Sequence, residues 1–131
     1  MGLKTTNNTL ISKETLITGD LEFSDALHIE GVIKGNVRVK AKSQGTIHVA
    51  EGGKVIGDIV GPNVVVNGSV EGNIYATAHI ELASKARVTG DVHYSFIEMV
   101  KGAQLSGQMI YTKEVKEPSS AKVISLEKEA E

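Results

Sequence analysis

The sequence predicts an all-β protein that folds as a three-sided parallel β-helix, a solenoid of about six turns with flexible termini. The first supporting observation is a signature that occurs six times: an apolar residue, any residue, Gly, then Asp, Asn or Gln, then a second apolar residue. The signature is centred on Gly19, Gly35, Gly57, Gly72, Gly90 and Gly107, at spacings of 15 to 22 residues. Such self-similarity is typical of repeat architectures, whose turns bury their apolar residues only by stacking.

The second observation is a short segment between the signatures in which apolar residues occupy every second position. It reads Leu27-His28-Ile29, Ile47-His48-Val49, Val64-Val65-Val66, Ile80-Glu81-Leu82 and Ile97-Glu98-Met99. A period of two residues is typical of a strand with one buried face. Each repeat therefore contains three strands: one before the Gly, one after the polar residue that follows it, and this segment. Three strands of about five residues plus corners need roughly 17 residues per turn.

The third observation is that equivalent residues of successive turns are aliphatic. In a parallel solenoid each strand pairs with its copy about 4.8 Å away, so equivalent side chains form columns. The predicted inward columns are Ile17, Ile33, Val55, Val70, Val88, Leu105; Leu21, Val37, Ile59, Ile74, Val92, Met109; and Ile29, Val49, Val66, Leu82, Met99. The Gly supplies backbone freedom at a corner, and the Asp or Asn after it is expected to hydrogen-bond backbone groups of that bend. An antiparallel sandwich is the alternative, but it gives no reason for one signature to recur six times.

The predicted β-helix covers residues 15–111, between two polar segments. Residues 1–14 are expected to form a flexible N-terminal arm, because residues 1–12 are rich in Asn and Thr and have little apolar content. Residues 112–131 have the mixed Lys and Glu content of a solvated, disordered tail. The alternative role of this tail is to dock a partner through its few apolar residues, Val123, Ile124 and Leu126.

Composition argues against several classes of function. The chain has no Cys, so disulfides, thiolate metal sites and Cys nucleophiles are impossible. A net charge of −2 and an aromatic content of 4% without Trp disfavour a nucleic-acid partner, which needs basic surface and stacking platforms. No apolar run approaches the roughly 18 residues of a transmembrane helix, and the first residues contain no secretory stretch. We therefore expect a cytoplasmic protein.

The residues that could carry chemistry are interpreted as structural. His28 and His48 take the same outward position in neighbouring turns, but a metal needs a third ligand and none has suitable spacing. Asp20, Asp58 and Asp91 each follow a Gly, and Asn takes the place of Asp in alternate turns. A structural corner tolerates this replacement, whereas general acid–base catalysis does not, because Asn cannot exchange a proton in that role. The sequence contains no Walker loop and no dinucleotide fingerprint. No catalytic residue, metal site or cofactor is predicted.

The two ends of the solenoid are the predicted functional surfaces. An open end presents unpaired strand groups around an apolar interior, and soluble monomeric solenoids cover such ends with capping repeats. No amphipathic capping helix precedes Thr15, and the last turn is rich in apolar and aromatic residues. The residues predicted to self-associate are Phe96, Met99, Leu105, Met109 and Tyr111 at the C-terminal end and Leu16, Ile17, Leu21 and Phe23 at the N-terminal end. Stacking at both ends would build a filament of subunits added end to end.

The repeat series also resembles a known family. The residues that carry the likeness are Leu27-His28-Ile29-Glu30-Gly31-Val32-Ile33-Lys34-Gly35-Asn36-Val37, followed by Gly57-Asp58-Ile59 and Val70-Glu71-Gly72-Asn73-Ile74. Over about residues 15–111 the series resembles the bactofilins, the polymer-forming cytoskeletal proteins of bacteria. The resemblance implies a right-handed β-helix and nucleotide-independent filaments, often without polarity, that assemble through the terminal turns. It also implies scaffolding roles in cell shape, cell-wall enzyme placement or polar organisation.

The resemblance further implies roles for particular segments. Family members often carry a Phe near the polymerising C-terminal end, and Phe96 is the Phe in that half of this chain. Some members bind membrane through an N-terminal peptide with apolar residues and Lys, for which Leu3 and Lys4 are the residues available here. The implied location is the cytoplasm, with the inner face of the cell membrane as an option. Cell-wall or polar proteins are the implied partners of the two terminal segments.

Two other functions stay open at this point. One is an enzyme, either a left-handed β-helix acyltransferase or a zinc carbonic anhydrase-like trimer with sites between subunits. Those folds repeat every six residues, whereas the aliphatic residues here do not keep that period and the Gly spacing varies. The other is a binding module for a division or cell-wall protein, with residues 112–131 as the docking segment.

Overall fold

Sixteen short strands make up all the regular secondary structure of the described part of the chain. The structure, a computed structural model, describes residues 8–40 and 43–115. The strands are β1 (Asn8–Ile11), β2 (Leu16–Thr18), β3 (Leu21–Phe23), β4 (Ala26–Ile29), β5 (Val32–Lys34), β6 (Val37–Val39), β7 (Thr46–Val49), β8 (Lys54–Ile56), β9 (Ile59–Val66), β10 (Ser69–Glu71), β11 (Ile74–Leu82), β12 (Arg87–Thr89), β13 (Val92–Tyr94), β14 (Ile97–Met99), β15 (Gln104–Ser106) and β16 (Met109–Tyr111). No helix occurs in these ranges, so the described chain contains no helix that could span a membrane.

The strands wind into six stacked coils with three strand segments each. Coil 1 consists of β1 to β3, coil 2 of β4 to β6, and coil 6 of β14 to β16. In the middle coils β9 and β11 each continue around a corner, so that the two halves of each strand pair separately. Every pairing is parallel and joins a strand to its equivalent in the next coil. The predicted three-sided parallel β-helix of about six turns is confirmed.

The coils define three faces. Face 1 contains β1, β4, β7, the second halves of β9 and β11, and β14. Face 2 contains β2, β5, β8, β10, β12 and β15. Face 3 contains β3, β6, the first halves of β9 and β11, β13 and β16.

The interior is formed by the predicted aliphatic columns. Ile33, Val55 and Val70 lie directly above one another on face 2 and have no solvent exposure. The register adds a second inward column on face 1, Leu27, Ile47, Val64, Ile80 and Ile97. Each fully buried Val, Leu or Ile contributes about 1.5–3 kcal/mol relative to an exposed one, so the middle coils hold the fold together. Gly61 pairs with Ala76 on face 3, and a Cβ on Gly61 would press on the side chain of Val39.

The Asp and Asn residues after the signature Gly form a hydrogen-bonded ladder between coils. The backbone N–H of Asn36 donates to Asp20 Oδ1 at 3.0 Å, and that of Asp58 donates to Asn36 Oδ1 at 2.9 Å. The same contact continues through Asn73 and Asp91 to the backbone N–H of Gln108. The sequence argument expected these side chains to bond within their own bend. They bond the equivalent bend one coil further on, which explains why Asp and Asn are interchangeable: both offer the Oδ1 acceptor.

Replacing one ladder residue by alanine should lower stability measurably. In Asn36→Ala the N–H of Asp58 loses its acceptor, and we expect a cost of about 1 kcal/mol, or roughly 4–8 °C in the unfolding midpoint. Thermal unfolding followed by circular dichroism measures the shift. Gln108→Ala is the matched control, because no described coil lies above Gln108 to use its side chain, and its free energy of unfolding should stay within about 0.5 kcal/mol of that of the parent. Equal shifts in the two variants would contradict the ladder.

The first coil begins earlier in the chain than the predicted boundary at residue 15. β1 pairs with β4 along its whole length, with Ile11 over Ile29, and Ile11 is buried. Residues 8–14, assigned by the sequence to the N-terminal arm, therefore include the first strand of the solenoid. The rest of that arm, residues 1–7, and residues 116–131 of the predicted tail lie outside the described residues.

Candidate self-association surfaces at the two ends

Large apolar side chains that are exposed to solvent lie in the two terminal coils. Among the described residues they are Leu10 and Leu16 in coil 1, and Phe96, Met99, Val100, Met109 and Tyr111 in coil 6. In the four coils between them the inward columns are buried almost completely. Exposed apolar surface of this kind, gathered at one location, marks an interaction site more often than scattered residues do.

The C-terminal end is exposed because the columns stop there. Met109 is 42% exposed, whereas Val92, directly beneath it in coil 5, is fully buried. Met99 is 45% exposed above the fully buried Leu82. Leu105, which ends the column on face 2, is half-buried. One more coil placed on this end would give these side chains the environment that their equivalents have in coil 5.

Phe96 lies at the rim of this end. Its neighbour Ile97 pairs with the inward Ile80, so Phe96 takes the position beside that column, at the corner between faces 3 and 1. One side of its ring stacks on His79 in coil 5, at 5.1 Å between ring centroids, and the ring remains 59% exposed. Tyr111 forms a T-shaped pair with Tyr94 in coil 5, at 5.9 Å between ring centroids, and is 63% exposed. Two aromatic side chains thus border the apolar centre, and aromatic residues are enriched in interface hot spots.

The N-terminal end exposes less of its interior. Ile17 and Leu21 are half-buried, and Phe23 is only 9% exposed, so Phe23 belongs with the core and adds little to an end surface. Leu16 is 58% exposed, but its register with Val32 directs it outward on face 2. Leu10 is 57% exposed, and its register with the outward His28 places it on the side of face 1, away from the end surface. Sequence reasoning did not consider it because it fell within the predicted arm.

Both ends also present strand edges that have no partner in the described chain. Strands β14, β15 and β16 pair only with coil 5, and β1, β2 and β3 pair only with coil 2 within residues 8–40 and 43–115. Unpaired N–H and C=O groups at a sheet edge are a template for pairing with another chain. Each end therefore combines an apolar centre with a ring of hydrogen-bonding groups.

His28 and His48 lie one above the other in neighbouring coils of face 1 and contact each other there, away from both ends. His28 Nδ1 and His48 Nδ1 are 2.9 Å apart, so one of the two must carry the proton of this bond. His28 Nε2 is 3.3 Å from Glu30 Oε2. No group of three or more metal-binding side chains occurs in the described ranges, and the pair is accounted for as a cross-coil hydrogen bond.

The histidine pair should make the fold less stable in mild acid. Burial, and secondly the neighbouring His28, lower the pKa of His48 below 6.5, while Glu81 partly opposes the shift. Near and below pH 6.5 the unfolded chain therefore binds more protons than the folded chain. The free energy of unfolding consequently falls as the pH drops through that region, and it keeps its full value at higher pH. Guanidinium unfolding at pH 5.5 to 8 measures the slope. His48→Val should flatten it, and His28→Val should flatten it less, since burial is the larger cause; an unchanged slope in both would contradict this origin.

Comparisons with known proteins agree with this architecture. The family model of the bactofilins, described as polymer-forming cytoskeletal, matches residues 9–110. A curated relative, Bactofilin BacO of Myxococcus xanthus, is 33% identical over 102 residues, which cover 78% of each chain. Bactofilin BacP of the same organism is 30% identical over 103 residues, covering 79% of this chain and 41% of that protein. No solved structure matches.

Proposed function

The chain belongs to the bactofilin family of polymer-forming cytoskeletal proteins, and from that premise we propose that its two terminal coils stack on other copies to build filaments that need no nucleotide. The family is structural, so the two enzymes considered from the sequence are set aside. The observation that carries the proposal is the abrupt change in exposure at coil 6, from fully buried Val92 to Met109 at 42%.

Physical arguments support end-to-end growth over side-by-side growth. The lateral faces of the middle coils contain no large exposed apolar side chain in the described residues, so they offer little apolar area to bury. Each end presents the apolar columns together with unpaired strand edges. A parallel coil of another copy, placed about 4.8 Å beyond the last strands, would extend the columns and pair with the edges at the same time. Because the two ends lie at opposite extremes of the stack of coils, repeated stacking continues along the solenoid axis and gives an open filament.

The two ends are expected to contribute unequally. At the C-terminal end Met99, Met109 and Tyr111 expose much of their side chains. At the N-terminal end Phe23 is buried, and the exposed Leu16 lies on the side of the coil. We therefore assign the larger apolar contribution to the C-terminal end, with Leu105 and Phe96 as further contacts. Ile17 and Leu21 are the contacts of the N-terminal end.

Electron microscopy of purified protein without nucleotide tests the proposal. We expect filaments at micromolar concentration, unchanged when ATP or GTP with magnesium is added, because the sequence has no phosphate-binding loop. Since the driving force is apolar burial and strand pairing, raised salt should leave the filaments intact. A monodisperse monomer across all concentrations and salt conditions would contradict end-to-end assembly.

We further propose that the filaments lie in the cytoplasm, at the inner face of the cell membrane, as a scaffold for cell shape, cell-wall enzyme placement or polar organisation. Support comes from family membership. A fluorescent fusion at the native expression level should give membrane-adjacent foci or lines. Diffuse fluorescence in cells whose protein polymerises after purification would contradict the location while leaving the assembly intact.

A further inference from the structure

Two imidazole rings on the outside of face 1 bring a nitrogen atom from each of two neighbouring coils close together. His28 and His48 are partners in the register of β4 and β7, and their Nδ1 atoms are 2.9 Å apart. The rings form a T-shaped pair, with centroids 4.6 Å apart and an angle of 69° between their planes. The side chain of His28 is 39% exposed and His48 is half-buried. Ions in solution can therefore reach both rings.

A neighbouring carboxylate selects the nitrogen of His28 that accepts. Glu30 Oε2 lies 3.3 Å from His28 Nε2, and this carboxylate favours the tautomer with the proton on Nε2. Nδ1 of His28 then has a lone pair, and the proton of the hydrogen bond between the rings belongs to His48. In protein metal sites the second nitrogen of a ligating histidine commonly donates to a carboxylate, which orients the ring and raises its basicity. Glu30 thus holds His28 in the state that a metal ligand requires.

The separation of the two Nδ1 atoms matches the distance between adjacent ligands of one metal ion. With metal–nitrogen bonds of about 2.0–2.1 Å, ligands at right angles lie about 2.9 Å apart, and ligands at a tetrahedral angle about 3.3 Å apart. Right-angled ligands are typical of Ni(II) and Cu(II), which take nitrogen ligands in square-planar or tetragonal sites. Rotation about χ2, which is a broad torsion in histidine, lets both lone pairs turn toward one point. The geometry therefore favours Ni(II) or Cu(II) over Zn(II).

The charges around the pair also favour a cation. Glu81 lies two coils beyond His48 in the same outward column, and its charge acts on that ring. This column contains two carboxylates and neither Lys nor Arg: its members are Leu10, His28, His48, Val65, Glu81 and Glu98. With Glu30 beside His28, the negative charge near the pair raises the local concentration of cations.

We propose that His28 and His48 bind one divalent transition-metal ion, Ni(II) or Cu(II), through their Nδ1 atoms and that this ion joins coil 2 to coil 3. Without metal the pair is held by its hydrogen bond. When metal binds, the proton on Nδ1 of His48 moves through solvent to Nε2 of the same ring, so both imidazoles stay neutral and no proton is released. The described residues supply no third protein ligand, so water fills the other positions and the ion remains exchangeable. The site lies on a lateral face and does not depend on assembly at the ends.

Metal titration of the untagged full-length chain tests the site, with Ni²⁺ as the probe. Isothermal titration calorimetry should find one strong site per chain. His28→Asn and His48→Asn should each weaken this binding at least about tenfold, because a single imidazole cannot chelate. His93→Asn is the matched control and should bind like the parent, since His93 stacks on Tyr75 on face 3 and is the only histidine of its outward column. Excess Mg²⁺, which prefers oxygen ligands, should not displace Ni²⁺.

Protection of the parent chain from chemical modification tests the same site without a substitution. Diethyl pyrocarbonate acylates an imidazole nitrogen that carries neither a proton nor a metal. With Ni²⁺ in large excess over its dissociation constant, modification of His28 and His48 should slow at least about tenfold, while His79 and His93 react as before. Mass spectrometry of proteolytic fragments measures the four rates. The site is overturned by equal affinity in the parent and both pair variants, by an equal loss in His93→Asn, or by rates at His28 and His48 that do not respond to Ni²⁺.

Discussion

Gly72→Ala should destroy the cooperative fold or lower the unfolding midpoint by at least about 10 °C. Gly72 has a φ of +152°, which residues with a side chain rarely adopt, and a Cβ placed there would overlap the carbonyl oxygen of Gly57 in the coil beneath. The φ strain alone costs about 1–3 kcal/mol. The overlap involves backbone, so no side-chain rotation relieves it, and the two coils must separate. Both lie in the middle of the solenoid, where each coil is stabilised by its neighbours on both sides.

Gly52→Ala is the matched control for this substitution. Gly52 also has a positive φ, +92°, but nothing lies within 4 Å of the position its Cβ would take. It therefore isolates the conformational strain from the clash between coils, and we expect a loss of about 1–2 kcal/mol with cooperative unfolding retained. Thermal and guanidinium unfolding of both full-length variants give the comparison. Similar losses in the two variants would show that coil stacking does not depend on the absence of a side chain at Gly72.

The interior of the solenoid could be predicted because its pattern repeats. A single apolar residue such as Val70 says little, but Val55, Val70 and Val88 at equivalent places in three signatures define a column. The period of two residues then separates inward from outward positions along each strand. His28 and His48 were correctly placed on one outward column by this argument alone. The hydrogen bond between their Nδ1 atoms could not be predicted, because it depends on side-chain conformations that the spacing of residues in the sequence does not determine.

The features that escaped prediction depend on contacts between unlike parts of the chain. β1 has no signature of its own, and only its pairing with β4 reveals that it completes coil 1. The acceptor role of Asn36 toward the next coil depends on the direction of its side chain. Val60 illustrates the limit most clearly: the period places it outward, correctly, yet its side chain is only 4% exposed. Periodicity assigns a residue to one side of the wall, and it does not fix how far the side chain is buried.

Met109→Asp should abolish filaments while leaving the solenoid folded. Met109 is 42% exposed in the last coil, so a carboxylate there remains hydrated in the free chain. In an end-to-end contact the same carboxylate would be enclosed among Met99, Leu105 and Tyr111 without a described cation to pair with it. An unpaired charge in an apolar interface costs several kcal/mol, and 2.8 kcal/mol already weakens association about a hundredfold. Sedimentation and electron microscopy should therefore find monomers or short oligomers at concentrations where the parent forms filaments.

Phe96→Asp extends the test to the rim, and Ser69→Asp provides the matched control. Phe96 is more exposed than Met109 and packs on His79, so its substitution should weaken assembly less strongly than that of Met109. The substitution Ser69→Asp introduces the same charge on face 2 of coil 4, where residue 69 has Lys54 and Arg87 as its neighbours in register. It should fold and polymerise like the parent. If Met109→Asp and Phe96→Asp both form normal filaments, the contact between subunits lies elsewhere. If Ser69→Asp loses its filaments as well, added negative charge controls assembly and the C-terminal surface does not.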